Sequence, residues 1–508
     1  MIEKIDQVIG SHKKLILGGL LLIAIGFQLA AALQKSFWED EAFTATVAQQ
    51  DLSDVVVTVT KDVHPPLYLV VISSWEKIFG SSELALRMFS ILCVILTLLL
   101  TYKLTVEILD DRAGIVVMVL LSLSPLYIMF GHNARYYALA AALSMMVTLS
   151  LLLYLRTNHI GYLLIYTLSG AVILYIVYAS FSVLLACNLW WLWIKLKKRT
   201  RSATVQWLIA QGVIILLHLP WLILMNPLLK TYAGGIQYYP GLIGDVLLRG
   251  LYLGFTFAVG ETLSPLNPLT WVALGIVIIL SVAAIRYGKK APDLWMMLVF
   301  LFTISIANLM ISLNATVSQT WQNLPYRTLY AFPYLAIWLT AGFMALKKPA
   351  YLLSIILVGV YSVGIYNYFT GKQFIQPIYT VPWREIFSSI TAVSTPDTLV
   401  ICSHGDFACP YYTQRYGFGS HTAEDWVNLS GQTYSQVWWI QSNLGASLQI
   451  YVNETEIFQE IRNRYKDSIE YHFAPQDPTI RWIKTTLLNR DDYEYRVDVY
   501  RFGQPIQR

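Results

Sequence analysis

Charged residues are scarce in this sequence. Only 13% of its 508 residues are Asp, Glu, Lys or Arg, whereas soluble domains average about 25%. The mean hydropathy is +0.52, and the chain contains only 4 cysteines. These values together exclude a disordered chain, a nucleic-acid-binding protein and an ordinary soluble enzyme.

The few charges are unevenly distributed. Residues 1–369 contain 24 basic and 16 acidic residues, whereas residues 370–508 contain 12 basic and 15 acidic residues. This division predicts a membrane domain over residues 1–369 and a soluble domain over residues 370–508.

Long apolar runs fill the first part of the chain. Since about 20 mostly apolar residues span a bilayer, we predict about eleven transmembrane helices. They lie near 15–33, 84–109, 114–129, 136–155, 160–178, 181–195, 205–225, 268–286, 293–312, 328–346 and 350–369. The stretches 65–79 and 243–258 are flanked by charges or prolines and are predicted to be interfacial helices. The predicted fold is a polytopic α-helical membrane protein with a C-terminal soluble α/β domain.

Basic residues indicate the orientation of these helices. With the N-terminus in the cytoplasm, 16 of the 24 basic residues of the membrane part fall on the cytoplasmic side, as the positive-inside rule requires. An odd number of spans then places the C-terminal domain outside. The eight basic residues on the outer side are Lys35, Lys61, Lys77, Arg87, Arg135, Lys230, Arg249 and Arg327.

The first outer loop, residues 34–83, contains eight of the 16 acids of the membrane part. Asp40 and Glu41 lie just past the first span. Adjacent carboxylates repel each other, and a carboxylate here could accept a proton from a hydroxyl or bind a metal or an amine. Ordinary solvated loop charges are the alternative interpretation.

A second motif runs from Lys61 to Tyr68 in the same loop. Pro65 and Pro66 restrict the backbone and can start a helix at Leu67. Asp62 and His64 precede this start, where the helix dipole favours anions. The motif therefore indicates either a binding site or a capped interfacial helix.

Three of the outer arginines lie at the ends of predicted spans: Arg87, Arg135 and Arg327. An ionisable group near membrane depth is costly and indicates function, and the arginine fork matches a phosphate group. These residues would suit a lipid phosphate at the outer leaflet. Snorkelling to the interface, or pairing with the acids of the first loop, is the alternative.

The order of these motifs resembles that of membrane glycosyltransferases of the C fold type. The matching elements are Asp40-Glu41, then Asp62-x-His64-Pro65-Pro66-Leu67-Tyr68, then Arg87, Ser124-Pro125 and Arg135-Tyr136. More closely, the sequence resembles the branch that includes protein O-mannosyltransferases, aminoarabinose lipid A transferases and bacterial dolichyl-phosphate-mannose-type mannosyltransferases. The matching segment covers residues 15–155.

The resemblance implies a role for each matching residue. Asp40 would be the catalytic base, and Glu41 would help to position the acceptor or the donor. The donor phosphate would be bound by Arg135, Arg327 and Arg87, and substrate by Asp62, His64, Tyr68 and Tyr136. Where many relatives have an acidic residue before the arginine, this chain has His132-Asn133-Ala134, so an acidic partner at that turn is in doubt.

The implied reaction is inverting sugar transfer from a polyprenyl-phosphate donor to a hydroxyl of a lipid, glycan or protein acceptor at the outer membrane face. Asp40 would deprotonate the acceptor, and arginines or a bound metal would stabilise the leaving phosphate. No cofactor is certain; a divalent metal, if bound, would use Asp40, Asp62 and His64. A bacterial or archaeal cell membrane is the expected location.

Two other functions are compatible with many spans. A transporter or flippase would show mid-span charges and internal repeats, neither of which is evident here. A sensor with an outer binding domain leaves the Asp40 and His64 motifs unexplained.

The tail shows alternating helix and strand patterns. Helices are predicted at 383–393 and 454–466, and strands at 398–403, 437–441, 447–452 and 496–502. Cys402 and Cys409 could form a disulfide outside the cytoplasm or remain free thiols. His404 and Asp406 between them could bind a metal, although a loop with satisfied polar groups is favoured. We expect this domain to shape acceptor access rather than to perform chemistry.

Overall fold

The computed structural model describes residues 2–60, 64–198, 202–233, 242–313, 324–346, 348–372, 379–403, 407–442, 452–465, 468–473, 482, 486 and 497–503. The chain divides into two compact units. Unit 1 comprises Met1–Ala31 and Ala48–Gln373, and unit 2 comprises Ala32–Val47 and Phe374–Arg508. The predicted domains differ from these units chiefly in residues 32–47, which pack with the tail.

Helices dominate the first 369 residues. They are α1 (Ile2–Gln34), α2 (Glu39–Ala48), α3 (Leu52–Val59), α4 (Leu67–Phe79), α5 (Glu83–Ile108), α6 (Asp111–Ser122), α7 (Pro125–Phe130), α8 (Tyr137–Thr157), α9 (Ile160–Leu174), α10 (Phe181–Lys198), α11 (Ser202–Ala233), α12 (Leu242–Val259), α13 (Pro268–Gly288), α14 (Trp295–Ser312), α15 (Leu324–Arg327), α16 (Phe332–Leu346) and α17 (Lys348–Phe369).

Among the described residues, nine helices are long and apolar enough to cross a membrane, which confirms the predicted polytopic class. Two predicted runs form shorter helices instead. The run 114–129 is divided between α6 and α7, because Ser124 caps α7 by accepting a hydrogen bond from the N–H of Tyr127 and Pro125 cannot continue α6. The run 160–178 forms the 15-residue helix α9.

Close packing in unit 1 depends on a small residue and on a buried polar cluster. A Cβ atom on Gly342 in α16 would collide with the carbonyl oxygen of Leu280 in α13, so the two helices approach at this glycine. The hydroxyl of Tyr334 lies 2.7 Å from Ser144 Oγ and 2.6 Å from Thr148 Oγ1. Hydrogen bonds of this kind link membrane helices that are otherwise apolar.

Unit 2 contains a five-stranded mixed sheet. Its strands are β1 (Thr398–Cys402), β2 (His421–Thr422), β3 (Gln436–Ser442), β4 (Ser468–Phe473) and β5 (Val497–Phe502), in the order β2-β1-β3-β5-β4. Strand β1 is parallel to β2 and β3, and β5 is antiparallel to β3 and β4. The helices of the tail are α18 (Trp383–Val393), α19 (Ala408–Arg415), α20 (Trp426–Leu429) and α21 (Val452–Arg464).

The sheet confirms the predicted α/β class of the tail. Inward-facing residues of three strands, including Ile401, Trp439 and Phe502, pack against Ile461 of α21. The strands predicted at 398–403, 437–441 and 496–502 correspond to β1, β3 and β5, whereas the strand predicted at 447–452 falls almost wholly outside the described residues. Strand β4 was not predicted, although its sequence alternates between polar and apolar residues; in the structure five of its six residues are exposed.

Candidate functional site

Unit 1 contains a cavity of about 100 Å³ that several sequence-predicted residues line. His64 precedes α4, Tyr136 precedes α8, and Arg327 ends α15. The other lining residues are Pro65, Val177, Tyr178, Ala179, Asn308, Ile311, Ser312 and Leu324. Elements far apart in sequence thus meet at one cavity that contains an arginine.

The two prolines position His64 as the sequence predicts. Helix α4 begins at Leu67, whose N–H donates a 3.0 Å hydrogen bond to the carbonyl of Tyr175. The His64 ring lies 5.9 Å from the ring of Tyr136, and the Tyr68 ring lies 6.4 Å from it. Three predicted substrate-binding side chains are therefore grouped. Asp62 lies outside the described residues.

The turn before Tyr136 is held by its polar residues. Ser90 Oγ donates a 2.6 Å hydrogen bond to the carbonyl of Asn133, and His132 Nδ1 lies 3.0 Å from the carbonyl of Ile128. The guanidinium of Arg135 lies 5.7 Å from the Tyr136 ring, in cation–π range. The departure His132-Asn133-Ala134 thus lies in a hydrogen-bonded turn that orients Arg135 beside the cavity.

Arg87 and Arg135 are both deeply buried, at 1% and 4% exposure. Arg87 lies on α5, three residues before Ser90, and Glu83 is buried one turn before it on the same helix. Burial of a guanidinium in an apolar helical unit is costly. Both side chains are therefore enclosed within unit 1 and do not snorkel to its surface.

The structure adds two polar residues that sequence reasoning did not assign. Arg249 on α12 is buried and donates a 2.7 Å hydrogen bond to the carbonyl of Ser312, which lines the cavity. Asn308 donates a 2.8 Å hydrogen bond to the hydroxyl of Tyr330. In the sequence, Arg249 was recognisable as a basic residue on the outer side, and Asn308 as an amide within an apolar run.

A buried acid was also missed. Glu261 follows α12, is fully buried, and accepts a short hydrogen bond from the hydroxyl of Tyr252. Its second carboxylate oxygen has no partner among the described residues. Burial raises the pKa of Glu261 to about 8, and the bond from Tyr252 opposes this rise. The carboxyl is therefore mainly protonated at neutral pH.

Asp40 and Glu41 lie in unit 2, within the first turn of α2. Glu39 shares this turn, so three carboxyl groups lie where the helix dipole favours negative charge. Glu41 is fully buried, whereas Asp40 is half-buried. Asp40 is therefore the more accessible of the two predicted catalytic carboxylates.

The segment leading into α2 is bound by the tail. The N–H of Phe37 donates a 2.7 Å hydrogen bond to the hydroxyl of Tyr412. The N–H of Arg384 donates to Ser36 Oγ at 3.1 Å, and its guanidinium donates to the carbonyl of Leu33 at 2.8 Å. Unit 2 therefore fixes the backbone immediately before the predicted base.

Aromatic contacts reinforce this attachment. The Trp38 ring packs edge-on against Tyr379 at 4.8 Å, and the Phe43 ring packs against Phe407 at 5.1 Å. A disulfide joins Cys402 at the end of β1 to Cys409 in α19, the helix that also carries Tyr412. His404 and Asp406 lie outside the described residues.

A possible metal-ligand group lies in the tail sheet instead of at the predicted residues. Glu470, His472 and Asp498 offer ligand atoms that lie within 4.8 Å of one another. His472 Nδ1 is 2.6 Å from Asp498 Oδ1. Of the predicted metal ligands, Asp40 belongs to unit 2, His64 belongs to unit 1, and Asp62 lies outside the described residues.

Known proteins share this architecture. Residues 63–224 match the family model described as dolichyl-phosphate-mannose-protein mannosyltransferase. The apo structure of ArnT from Cupriavidus metallidurans aligns with a TM-score of 0.59 at 13% identity, covering 97% of this chain and 98% of that chain. The chain has the glycosyltransferase C fold. No curated protein matches the sequence.

Two further C-fold structures support this conclusion. ArnT from the same organism bound to undecaprenyl phosphate aligns with a TM-score of 0.54 at 12% identity, over 96% of this chain and 97% of that chain. The oligosaccharyltransferase of Archaeoglobus fulgidus in complex with Zn and sulfate aligns with a TM-score of 0.50 at 13% identity, over 91% and 72%. The predicted recognition is confirmed, and nothing here supports the transporter alternative.

Proposed function

We propose that this protein is an inverting glycosyltransferase that moves a sugar from a polyprenyl-phosphate donor to an acceptor hydroxyl at the outer membrane face. The observation that carries the proposal is the cavity of unit 1, where His64, Tyr136 and Arg327 meet. The family match over 63–224 and the C fold support the same reaction class. The undecaprenyl phosphate bound to ArnT supports the choice of donor.

The donor phosphate binds at this cavity. Arg327 lines it directly, and Arg135 lies beside the lining residue Tyr136. A guanidinium forms paired, charge-assisted hydrogen bonds with phosphate oxygens, and these strengthen as negative charge develops on the leaving group. His64, Tyr68 and Tyr136 offer ring faces and polar atoms for the sugar, and Arg87, buried on α5 of the same unit, adds positive charge for the phosphate.

Asp40 acts as the general base. It removes the proton of the acceptor hydroxyl while the hydroxyl oxygen bonds to the anomeric carbon. The bond between that carbon and the phosphate oxygen breaks, and polyprenyl phosphate leaves with the electron pair. Attack from the face opposite the leaving group inverts the anomeric centre. Glu41, buried in the same helical turn, positions the acceptor through the backbone of α2 rather than by direct contact.

The orientation follows from charge. We place the N-terminus in the cytoplasm and the tail outside, in a bacterial or archaeal cell membrane, in agreement with the positive-inside rule and with a disulfide in the tail. Residues 1–369 then form the transmembrane domain with its first outer loop at 34–83, and residues 370–508 form the extracytoplasmic domain. The acceptor is a lipid, a glycan or a protein.

The test is an assay of membranes that contain the protein with a labelled polyprenyl-phosphate sugar and mixed acceptors. We expect Asp40→Asn to abolish transfer, since an amide cannot accept the proton, whereas Asp51→Asn, at the exposed start of α3, retains it. The product should have the opposite anomeric configuration to the donor. Full transfer by Asp40→Asn at normal expression would refute the role of Asp40 as general base. Translocation of the donor across the membrane without sugar transfer would refute the proposal that the protein is a glycosyltransferase.

A further inference from the structure

Unit 1 has a second, larger cavity along the C-terminal half of α10. It is a groove of about 850 Å³ along α10 and α14, bordered by Gly288 at the end of α13. Its wall is almost entirely apolar and includes Leu189, Trp193, Trp295 and Phe302. A groove of this composition fits hydrocarbon chains.

The groove is separate from the candidate active site. The active-site cavity reaches Ala179, immediately before α10, whereas the groove begins at Leu189 and extends to Lys197. At 1.5 Å per residue, Ala179 and Trp193 are about 20 Å apart along the helix axis. The two cavities therefore occupy opposite ends of α10.

The groove also contains polar groups suited to a lipid headgroup. Trp190 is 4% exposed, and its indole N–H has no hydrogen-bond partner among the described residues. The corresponding N–H of Trp295 is satisfied by the carbonyl of Gly288 at 3.2 Å. Since burial of an unsatisfied donor is costly, the Trp190 N–H indicates an acceptor that a bound molecule would supply.

Lys197 is the charged residue that lines the groove, and the acid between the lining residues Pro292 and Trp295, Asp293, is paired with Arg156 at 2.7 Å. Lys197 Nζ lies 4.5 Å from the centre of the Trp193 ring, and it forms no ion pair within the described part of the chain. Arg286, Lys289 and Lys290 lie at the end of α13. Basic clusters next to membrane helices attract anionic lipids, and tryptophan favours the same interfacial depth.

We propose that this groove binds one anionic glycerophospholipid from the leaflet at the basic ends of α10 and α13. The acyl chains lie along Leu189 and Phe302, an ester oxygen accepts the Trp190 N–H, and Lys197 pairs with the phosphate. A zwitterionic lipid offers the same phosphate but brings its own cation to the basic ends of α10 and α13, so a lipid with net negative charge is favoured. The polyprenyl-phosphate donor binds at the opposite end of α10. The site is independent of the proposed transfer reaction.

The experiment uses the full chain in phosphatidylcholine nanodiscs, titrated with phosphatidylglycerol and examined by native mass spectrometry after release. We expect one phosphatidylglycerol to remain bound in preference to phosphatidylcholine. Lys197→Gln should weaken retention about fivefold, since one basic contact is lost, and Trp190→Phe should weaken it by a similar factor while preserving the ring. Lys195→Gln is the matched control, because Lys195 instead donates to Thr204.

Two outcomes would overturn the proposal. Equal retention of phosphatidylcholine and phosphatidylglycerol, or unchanged retention in both groove variants, would show that no anionic site exists. Displacement of phosphatidylglycerol by an equal concentration of polyprenyl phosphate would show instead that the groove belongs to the donor. Hydrogen exchange over residues 189–197 and 295–303 should slow only when the bound lipid is present. Exchange over residues 137–157, which do not line the groove, should be the same in each variant as in wild type and checks that each variant is folded.

Discussion

The hydroxyl of Tyr412 accepts a 2.7 Å hydrogen bond from the N–H of Phe37, three residues before Asp40. The two residues are 375 positions apart in sequence, yet they belong to one compact unit. The C-terminal unit therefore includes the segment that carries the proposed base. From the sequence we expect this domain to shape acceptor access, and that role alone does not account for its contact with the segment before Asp40.

Tyr412→Phe should reduce turnover more than donor affinity. The substitution leaves the buried Phe37 N–H without its acceptor, which costs about 1–3 kcal/mol and loosens the backbone that leads to Asp40. We expect a lower kcat with little change in the KM for the donor. Steady-state kinetics of the variant measures both. Tyr434→Phe, which removes an exposed hydroxyl bonded to Gln432, is the control, and an unchanged kcat for Tyr412→Phe would contradict the positioning role.

Reduction of the disulfide should weaken the same attachment. Cys402–Cys409 ties α19 to β1, and α19 carries Tyr412. Loss of a disulfide commonly costs about 2 kcal/mol or more, so dithiothreitol should lower the Tm of the protein and its transfer rate together. The Cys402→Ala/Cys409→Ala double variant should start from the lower values and not respond to reductant. A response of equal size in the double variant would show that the effect does not arise from this bond.

Arg327 should contribute mainly to donor binding and leaving-group stabilisation. Arg327→Gln removes a guanidinium that lines the cavity, and a hydrogen bond to a charged group contributes about 1.5–3 kcal/mol. We therefore expect kcat/KM for the donor to fall about tenfold to one hundredfold, with partial recovery in Arg327→Lys. Lys77→Gln, on α4 and exposed, is the control. Equal activity of Arg327→Gln and wild type would place the phosphate elsewhere.

The large-scale fold was accessible from sequence because the bilayer imposes strong constraints. Apolar length predicted the spans, and the pair Pro65-Pro66 predicted the start of α4 at Leu67. The interruption at Ser124-Pro125 was also readable, since proline and a serine cap together end one helix and begin another. The high average hydropathy of residues 114–129 concealed this interruption.

The site was only partly accessible, because residues from distant elements meet in three dimensions. Motif order identified His64, Tyr136 and Arg135, which the structure groups through ring contacts. Spacing carried no information on the contact between Phe37 and Tyr412, which are 375 positions apart in sequence. Asn308 and Glu261 were isolated polar residues whose importance depends on burial, and burial is a property of the folded chain.

Glu261 should make the protein less stable as the pH rises. Its pKa is raised from an ordinary value of 4.5 to about 8 by burial, so between these values the folded state holds more protons than the unfolded state. The free energy of unfolding therefore falls with increasing pH across this window, by at most about 1.4 kcal/mol per pH unit, and the dependence ends above pH 8.

Glu261→Gln should remove this dependence, because the amide stays neutral and can still accept the bond from Tyr252. We expect the variant to match wild type in Tm near pH 5 and to exceed it near pH 8.5, measured by thermal unfolding in detergent. Glu424→Gln, at an exposed position in unit 2, should leave the wild-type slope intact. The same slope in Glu261→Gln and wild type would mean that this carboxyl is ionised in the folded protein, and that a partner not evident in its surroundings compensates its charge.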